Sequence, residues 1–271
     1  MPAMPLPELL MMLSLGAALG FCGGLFGIGG GIIVIPLLVL GFGFDQALAQ
    51  GTALVMMVPN LLVAWLRYQQ RHPVVPATAL QIGALACLTT WLVAQVATRL
   101  DPVLMRTVFS VFLLGLSVRM LAQAPATASA TSADTRHAQP HSLRDRRWMP
   151  LVGIVGGSSM GLLGVGGGLV ATPIFQGWFG QRQTVAQSLS LALVAPSSIV
   201  ALLTYSGAHR VDWGTGLPLA VGGLLTVSAG VAVAHRLPEQ RMRAAFAWMV
   251  LCTAVWMLGK DSLLPLLGLP A

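Results

Sequence analysis

The run Gly24-Leu25-Phe26-Gly27-Ile28-Gly29-Gly30-Gly31, followed by Pro36, returns 137 residues later as Gly161-Leu162-Leu163-Gly164-Val165-Gly166-Gly167-Gly168, followed by Pro173. At that one offset, without a gap, residues 16–74 match residues 153–211 at 22 of 59 positions, including Gln50/Gln187, Pro59/Pro196, Tyr68/Tyr205 and His72/His209. The chain is an internal duplication. Each glycine in a helix interior costs roughly 1 kcal/mol relative to alanine, so a window as rich in glycine as Gly27 to Gly31 predicts that the helix breaks there. Apolar segments that are duplicated and broken by glycine are how secondary transporters bring helix ends to a site at the membrane midplane.

Composition makes lipid the solvent. Hydrophobic residues are 56% of the chain and charged residues 8%, against roughly a quarter charged in soluble domains. Eight apolar segments are long enough to enter a bilayer, at roughly 8–43, 46–66, 76–98, 103–121, 150–180, 183–206, 213–235 and 244–268. With no strand alternation of the barrel kind, internal satisfaction of backbone groups predicts an all-α polytopic membrane protein. The net charge of +7 does not point to nucleic acid, because the basic residues are spread along the chain and cluster between the apolar segments. Cys22, Cys87 and Cys252 lie far apart inside apolar segments, which suits packing and neither a disulfide framework nor a zinc site. The first residues lack a basic stretch and a small-residue cleavage site, so the first segment is expected to stay in the mature protein.

Residues 122–149 are the one long polar stretch and read as a linker, expected in the cytoplasm, between an N-terminal repeat, 1–121, and a C-terminal repeat, 150–271. Each repeat then holds one glycine-broken segment, re-entrant or discontinuous, and three simple spans. If the broken segments dip in and return, the halves are inverted, and 11 arginines fall on the linker side against 4 basic residues opposite; if they cross, the halves share a direction and the split is 9 to 6. The positive-inside rule favours inverted repeats.

The prolines suit the first turn of a new helix, which predicts half-helices starting near residues 33 and 170. Their N-termini would direct free N–H groups and positive dipole ends to mid-membrane, a cradle for an anion. The competing reading is that the glycines only let helices pack closely. Gln50 and Gln187 line a polar cavity on the first reading and form interhelical hydrogen bonds on the second. Asn60, Ser197 and Ser198 flank the matched prolines and could add donors or simply repair a proline kink. Tyr68, His72, Tyr205 and His209 close the matched region and suit interfacial anchors as well as gate residues, with anchors the preferred reading. All eight acids lie in loops or at segment ends, so no carboxylate is placed as a proton relay or sodium ligand.

Enzyme signatures fail on context. Gly157-Ser158-Ser159-Met160-Gly161 has the letters of a nucleophile elbow but sits in an apolar helix, and neither glycine run continues into a P-loop. No enzyme activity and no cofactor are expected.

The doubled glycine motif, with Ala49-Gln50-Gly51-Thr52-Ala53 and Ala186-Gln187-Ser188-Leu189-Ser190, resembles the TauE/SafE sulfite-exporter family over about Leu10 to Leu267. The resemblance implies a multi-pass permease of the bacterial inner membrane for a small oxyanion or organosulfur anion, such as sulfite or sulfoacetate. It makes Gly29, Gly30, Gly31, Gln50, Gly166, Gly167, Gly168 and Gln187 the substrate region, to which the residues themselves add Asn60 and Ser197. Alternating access is the leading mechanism, with a passive anion channel and a membrane scaffold as alternatives. Expected partners are the anion, the lipid and a second copy in a homo-oligomer. A wet, polar hollow between the glycine runs is the structural expectation.

Overall fold

The computed structural model describes residues 5–26, 30–71, 74–123, 146–165, 167–181, 183–234 and 247–257, and the regular structure among them is entirely helical. The elements are α1 (Leu6–Phe26), α2 (Gly31–Gly41), α3 (Gln46–Arg71), α4 (Pro76–Ala97) and α5 (Pro102–Gln123), then α6 (Val152–Leu163), α7 (Gly167–Gly177), α8 (Gln183–Gly207) and α9 (Trp213–Ala234). A 3-10 turn, Arg146–Leu151, leads into α6, and α10 covers Ala247–Met257. Five helices among the described residues are long and apolar enough to cross a membrane, against eight expected apolar segments. Most of the expected linker lies outside the described residues.

The offset of 137 governs structure as well as sequence. Helices α1 and α6 end at Phe26 and Leu163, α3 and α8 begin at Gln46 and Gln183, and α4 and α9 coincide at both ends, Pro76 with Trp213 and Ala97 with Ala234. The short helices even close alike. Phe44 N–H donates to the Leu38 carbonyl at 3.1 Å and Gln181 N–H to the Phe175 carbonyl at 3.0 Å. Each bond spans a left-handed glycine, Gly43 at φ 68° and Gly180 at φ 59°. That is the helix-terminating turn in which a residue with positive φ is needed and glycine adopts it without strain.

The two broken segments do break, somewhat earlier than expected. Helices α2 and α7 start at Gly31 and Gly167 rather than near 33 and 170, which places Pro36 and Pro173 beyond the first turn. The chain also reverses. A Cβ placed on Gly30 would stand 3.3 Å from the Leu19 carbonyl oxygen, and one on Gly167 would stand 2.8 Å from that of Gly156. Both pairs are eleven residues apart in sequence, which a straight helix would separate by about 16 Å. The matched helices α3 and α8 run through Pro59 and Pro196 without interruption.

Packing exchanges partners between the repeats. Helix α1 lies along α9 of the other half, and α6 lies along α4. Small residues permit both contacts, since a Cβ on Gly16 or Gly20 would overlap the backbone of Leu219 or Gly223, and one on Gly153 or Gly157 that of Ile82 or Ala86. Residue numbers rise together in both pairs, so the packed helices are parallel. Thr226 of α9 donates to the Ala17 carbonyl at 2.6 Å, and its mate in the duplication, Thr89, reaches the Gly153 carbonyl at 3.4 Å. At the centre, α3 crosses α8 the other way: Gln50, near the start of α3, meets Tyr205, near the end of α8. The outer faces of α4, α5 and α9 carry exposed Leu80, Trp91, Val111 and Leu225, as a lipid-facing surface requires. Cys252 is exposed too, so it is not the packing residue expected.

Candidate functional site

The two breaks meet. A Cβ on Gly31, the first residue of α2, would touch Met57 of α3 and stand 2.9 Å from Cγ2 of Val165, in the break of the other repeat. No side chain caps the N-terminus of α2, and Gly30, at φ 86°, turns the chain into it. Gly168 takes the corresponding place in α7: a Cβ there would stand 3.6 Å from Val194, the mate of Met57. Ser190 of α8 donates to the Gly168 carbonyl at 3.1 Å. The mate of Ser190 is Ala53, so the two half-sites differ in polarity. Gly29 and Gly166 lie outside the described residues.

Gln50 belongs to the break of the opposite half. Gly164, at φ 64°, would place a Cβ 3.0 Å from the Cβ of Gln50. The Tyr205 hydroxyl donates to the Gln50 side-chain oxygen at 2.9 Å and lies 3.1 Å from the Gly161 carbonyl, in the last turn of α6. Gln50 and Tyr205 are both fully buried. Nε2 of Gln50 and both amide atoms of Asn60 are buried without a hydrogen-bond partner, as are both amide atoms of Gln46 one turn before Gln50. An orphaned polar atom in the interior costs about 1–3 kcal/mol, so a row of them along one helix calls for a reason.

The remaining candidates are less telling. Ser197 is buried but returns its hydroxyl to the Val194 carbonyl of its own helix at 3.1 Å, and Ser198 does the same to Ala195 at 2.7 Å. Gln187 is half-buried and has a partner. Tyr205 overturns an expectation: it is no interfacial anchor but, among the described residues, the largest fully buried side chain. The signal was present in the sequence, because the chain has only two tyrosines and both occupy matched positions. His209 is exposed, just beyond the end of α8.

Among the described residues the junction is closed. Gly31, Ile32, Met56, Met57, Val165, Gln50 and Tyr205 are all buried. Among the described residues, Met57 and Val165 fill the space facing Gly31 where a wet hollow was expected. An open depression of about 250 Å³ lies elsewhere, lined by Gln95, Val96, Arg99 and Leu100 at the end of α4.

One end of the α3/α8 crossing is fastened by polar groups. Arg210 pairs with Asp45 at 3.0 Å, while Asp45 also caps α3 by accepting from the Leu48 N–H at 2.9 Å. The Asp212 N–H donates to Thr52 at 3.0 Å, and the Arg210 carbonyl packs where a Cβ on Gly51 would collide. Asp212 caps α9 through the Gly214 N–H at 2.9 Å, and Asp101 caps α5 through the Val103 N–H at 2.9 Å. These acids sit at helix starts, as the sequence implied, and serve as caps.

Residues 12–257 match the family model described as sulfite exporter TauE/SafE. The chain belongs to the TauE/SafE sulfite-exporter family. Curated relatives agree in kind. A probable membrane transporter protein of Xylella fastidiosa is 24% identical over 95% of this chain and 98% of its own length. Another so described, from Methanocaldococcus jannaschii, is 25% identical over 73% of each chain, and one from Haemophilus influenzae is 23% identical over 93% and 98%. No solved structure matches. This TauE/SafE member is thus a multi-pass membrane transporter by family, with its glycine breaks packed against each other across the duplication.

Proposed function

We propose that this protein carries a small oxyanion or organosulfur anion, sulfite or a sulfonate, across the bacterial inner membrane by alternating access around the junction of the two breaks. The observation that carries the reading is the uncapped N-terminus of α2 meeting the opposite break at Val165, beside buried amides that lack partners. A helix N-terminus offers free N–H groups and a positive dipole end, and an amide nitrogen in an apolar setting gains most from an ionised acceptor. The chain reversals at Gly30 and Gly167 support re-entrant segments. The antiparallel crossing of α3 and α8 supports inverted repeats, since helices exchanged by a two-fold axis run oppositely only when that axis lies across them. A closed junction suits a carrier better than a standing pore.

Uptake of labelled sulfite, sulfate and methanesulfonate into proteoliposomes tests this. Wild type is expected to accumulate at least one of them. Gln50→Ala is expected to weaken that uptake at least tenfold, about 1.4 kcal/mol. A variant that matches wild type for every anion removes Gln50 from the site.

A further inference from the structure

We propose that Tyr205 is a positioning residue that decides which end of the Gln50 amide faces the ligand, making the pair a two-position hydrogen-bond switch. The proposal rests on the reading of Gln50 as part of an anion site and deepens it. The Tyr205 hydroxyl has one proton and two acceptors in reach, Oε1 of Gln50 at 2.9 Å and the Gly161 carbonyl at 3.1 Å. The Gly161 carbonyl lies in the last turn of α6, where no following helical N–H is available to it.

Two arrangements follow. In the first, the hydroxyl donates to Oε1 and leaves Nε2 as a buried donor without a partner. In the second, the amide is turned over, Nε2 donates to the tyrosine oxygen, and the hydroxyl donates to Gly161. The structure shows the first; the second makes two hydrogen bonds among protein groups where the first makes one, so it competes with the first unless an anion accepts from Nε2. It leaves an oxygen outward, which repels an anion. An anion that accepts from Nε2 restores the first arrangement and is held by it. Binding thus selects the orientation, and return of the tyrosine proton to Gly161 favours release. The groups that matter are all fully buried, and Gly164 packs on the Gln50 stem, so the amide has little freedom besides this rotation. The switch joins three helices, α3 from one repeat and α6 and α8 from the other, and so couples occupancy to the contact between the repeats.

The test is a double-mutant cycle on sulfite affinity, read by ligand-induced shifts in thermal unfolding of the detergent-purified full chain. Tyr205→Phe removes only the hydroxyl and is expected to weaken sulfite binding about tenfold. Gln50→Met keeps the length of the side chain and removes the amide, and is expected to weaken it at least as much. In the Gln50→Met background, Tyr205→Phe is expected to have no further effect, because tyrosine acts through the amide. Gln50→Glu, when ionised, keeps an acceptor for tyrosine but no donor, and in that form is expected to bind more weakly than Gln50→Met. Additive losses from Tyr205→Phe and Gln50→Met overturn the switch, as does a Tyr205→Phe protein with wild-type affinity. A Gln50→Glu protein that binds as well as Gln50→Met removes the outward donor. If Gln50→Met alone leaves affinity unchanged, the anion-site reading itself fails, an outcome distinct from failure of the switch.

Discussion

Gly20→Val, or its counterpart Gly157→Val, is expected to destabilise the protein by at least about 3 kcal/mol, beyond the usual range for an overpacked core. At Gly20 the side chain would enter the backbone of Gly223, and at Gly157 that of Ala86 together with the Thr89 hydroxyl, so the helices themselves must separate. Because α1 is held by the opposite repeat, separation undoes the link between halves as well as a local contact. Gly115→Val on α5 is the control, since nothing lies within 4 Å of a Cβ there. Thermal unfolding in detergent should show a lower midpoint for the first two variants and almost none of that loss for the third. Equal midpoints for Gly20→Val and wild type would mean that α1 and α9 are not in contact as described.

Asn60→Asp is expected to lower uptake of labelled methanesulfonate at least tenfold at neutral pH, about 1.4 kcal/mol. The substitution keeps the shape and adds a negative charge where both amide atoms are already without partners. Methanesulfonate is the probe because its own charge does not change near neutral pH. Full uptake at neutral pH would show that Asn60 does not face the anion.

Much of the architecture is legible in the residues. A repeated glycine window forecasts both breaks, and the same offset forecasts helix ends as far as Ala97 and Ala234, well past the last matched residue used to find it. What periodicity cannot reveal is which helix of one half meets which of the other. The glycines of α1 and α6 announce close packing, but that α9 and α4 supply the partners depends on tertiary arrangement. The same gap explains Tyr205. Near a segment end it looks interfacial, yet α6 covers it and a glutamine 155 residues away in sequence approaches it. The proline argument misplaced the start of the short helices by two or three residues, because Pro36 and Pro173 are accommodated beyond the first turn. The close-packing reading of the glycines holds upstream, in α1 and α6, while the downstream glycines stand at the chain reversal.

The pairing of Asp45 with Arg210 and of Thr52 with Asp212 has no twin. The positions that duplication assigns to these four are Arg182, Pro73, Leu189 and Val75, which could not reproduce either bond. On the carrier reading proposed above, only one end of the α3/α8 crossing can carry these bonds. Substrate arriving at that end has to open it, so half-saturation measured from the two faces of a vesicle should differ. Arg210→Ala is expected to bring the two values together while moving the unfolding midpoint little, because exposed ion pairs add only about 0–1 kcal/mol to stability. Lopsidedness of this kind would give a passive rocker a preferred resting pose without any motor.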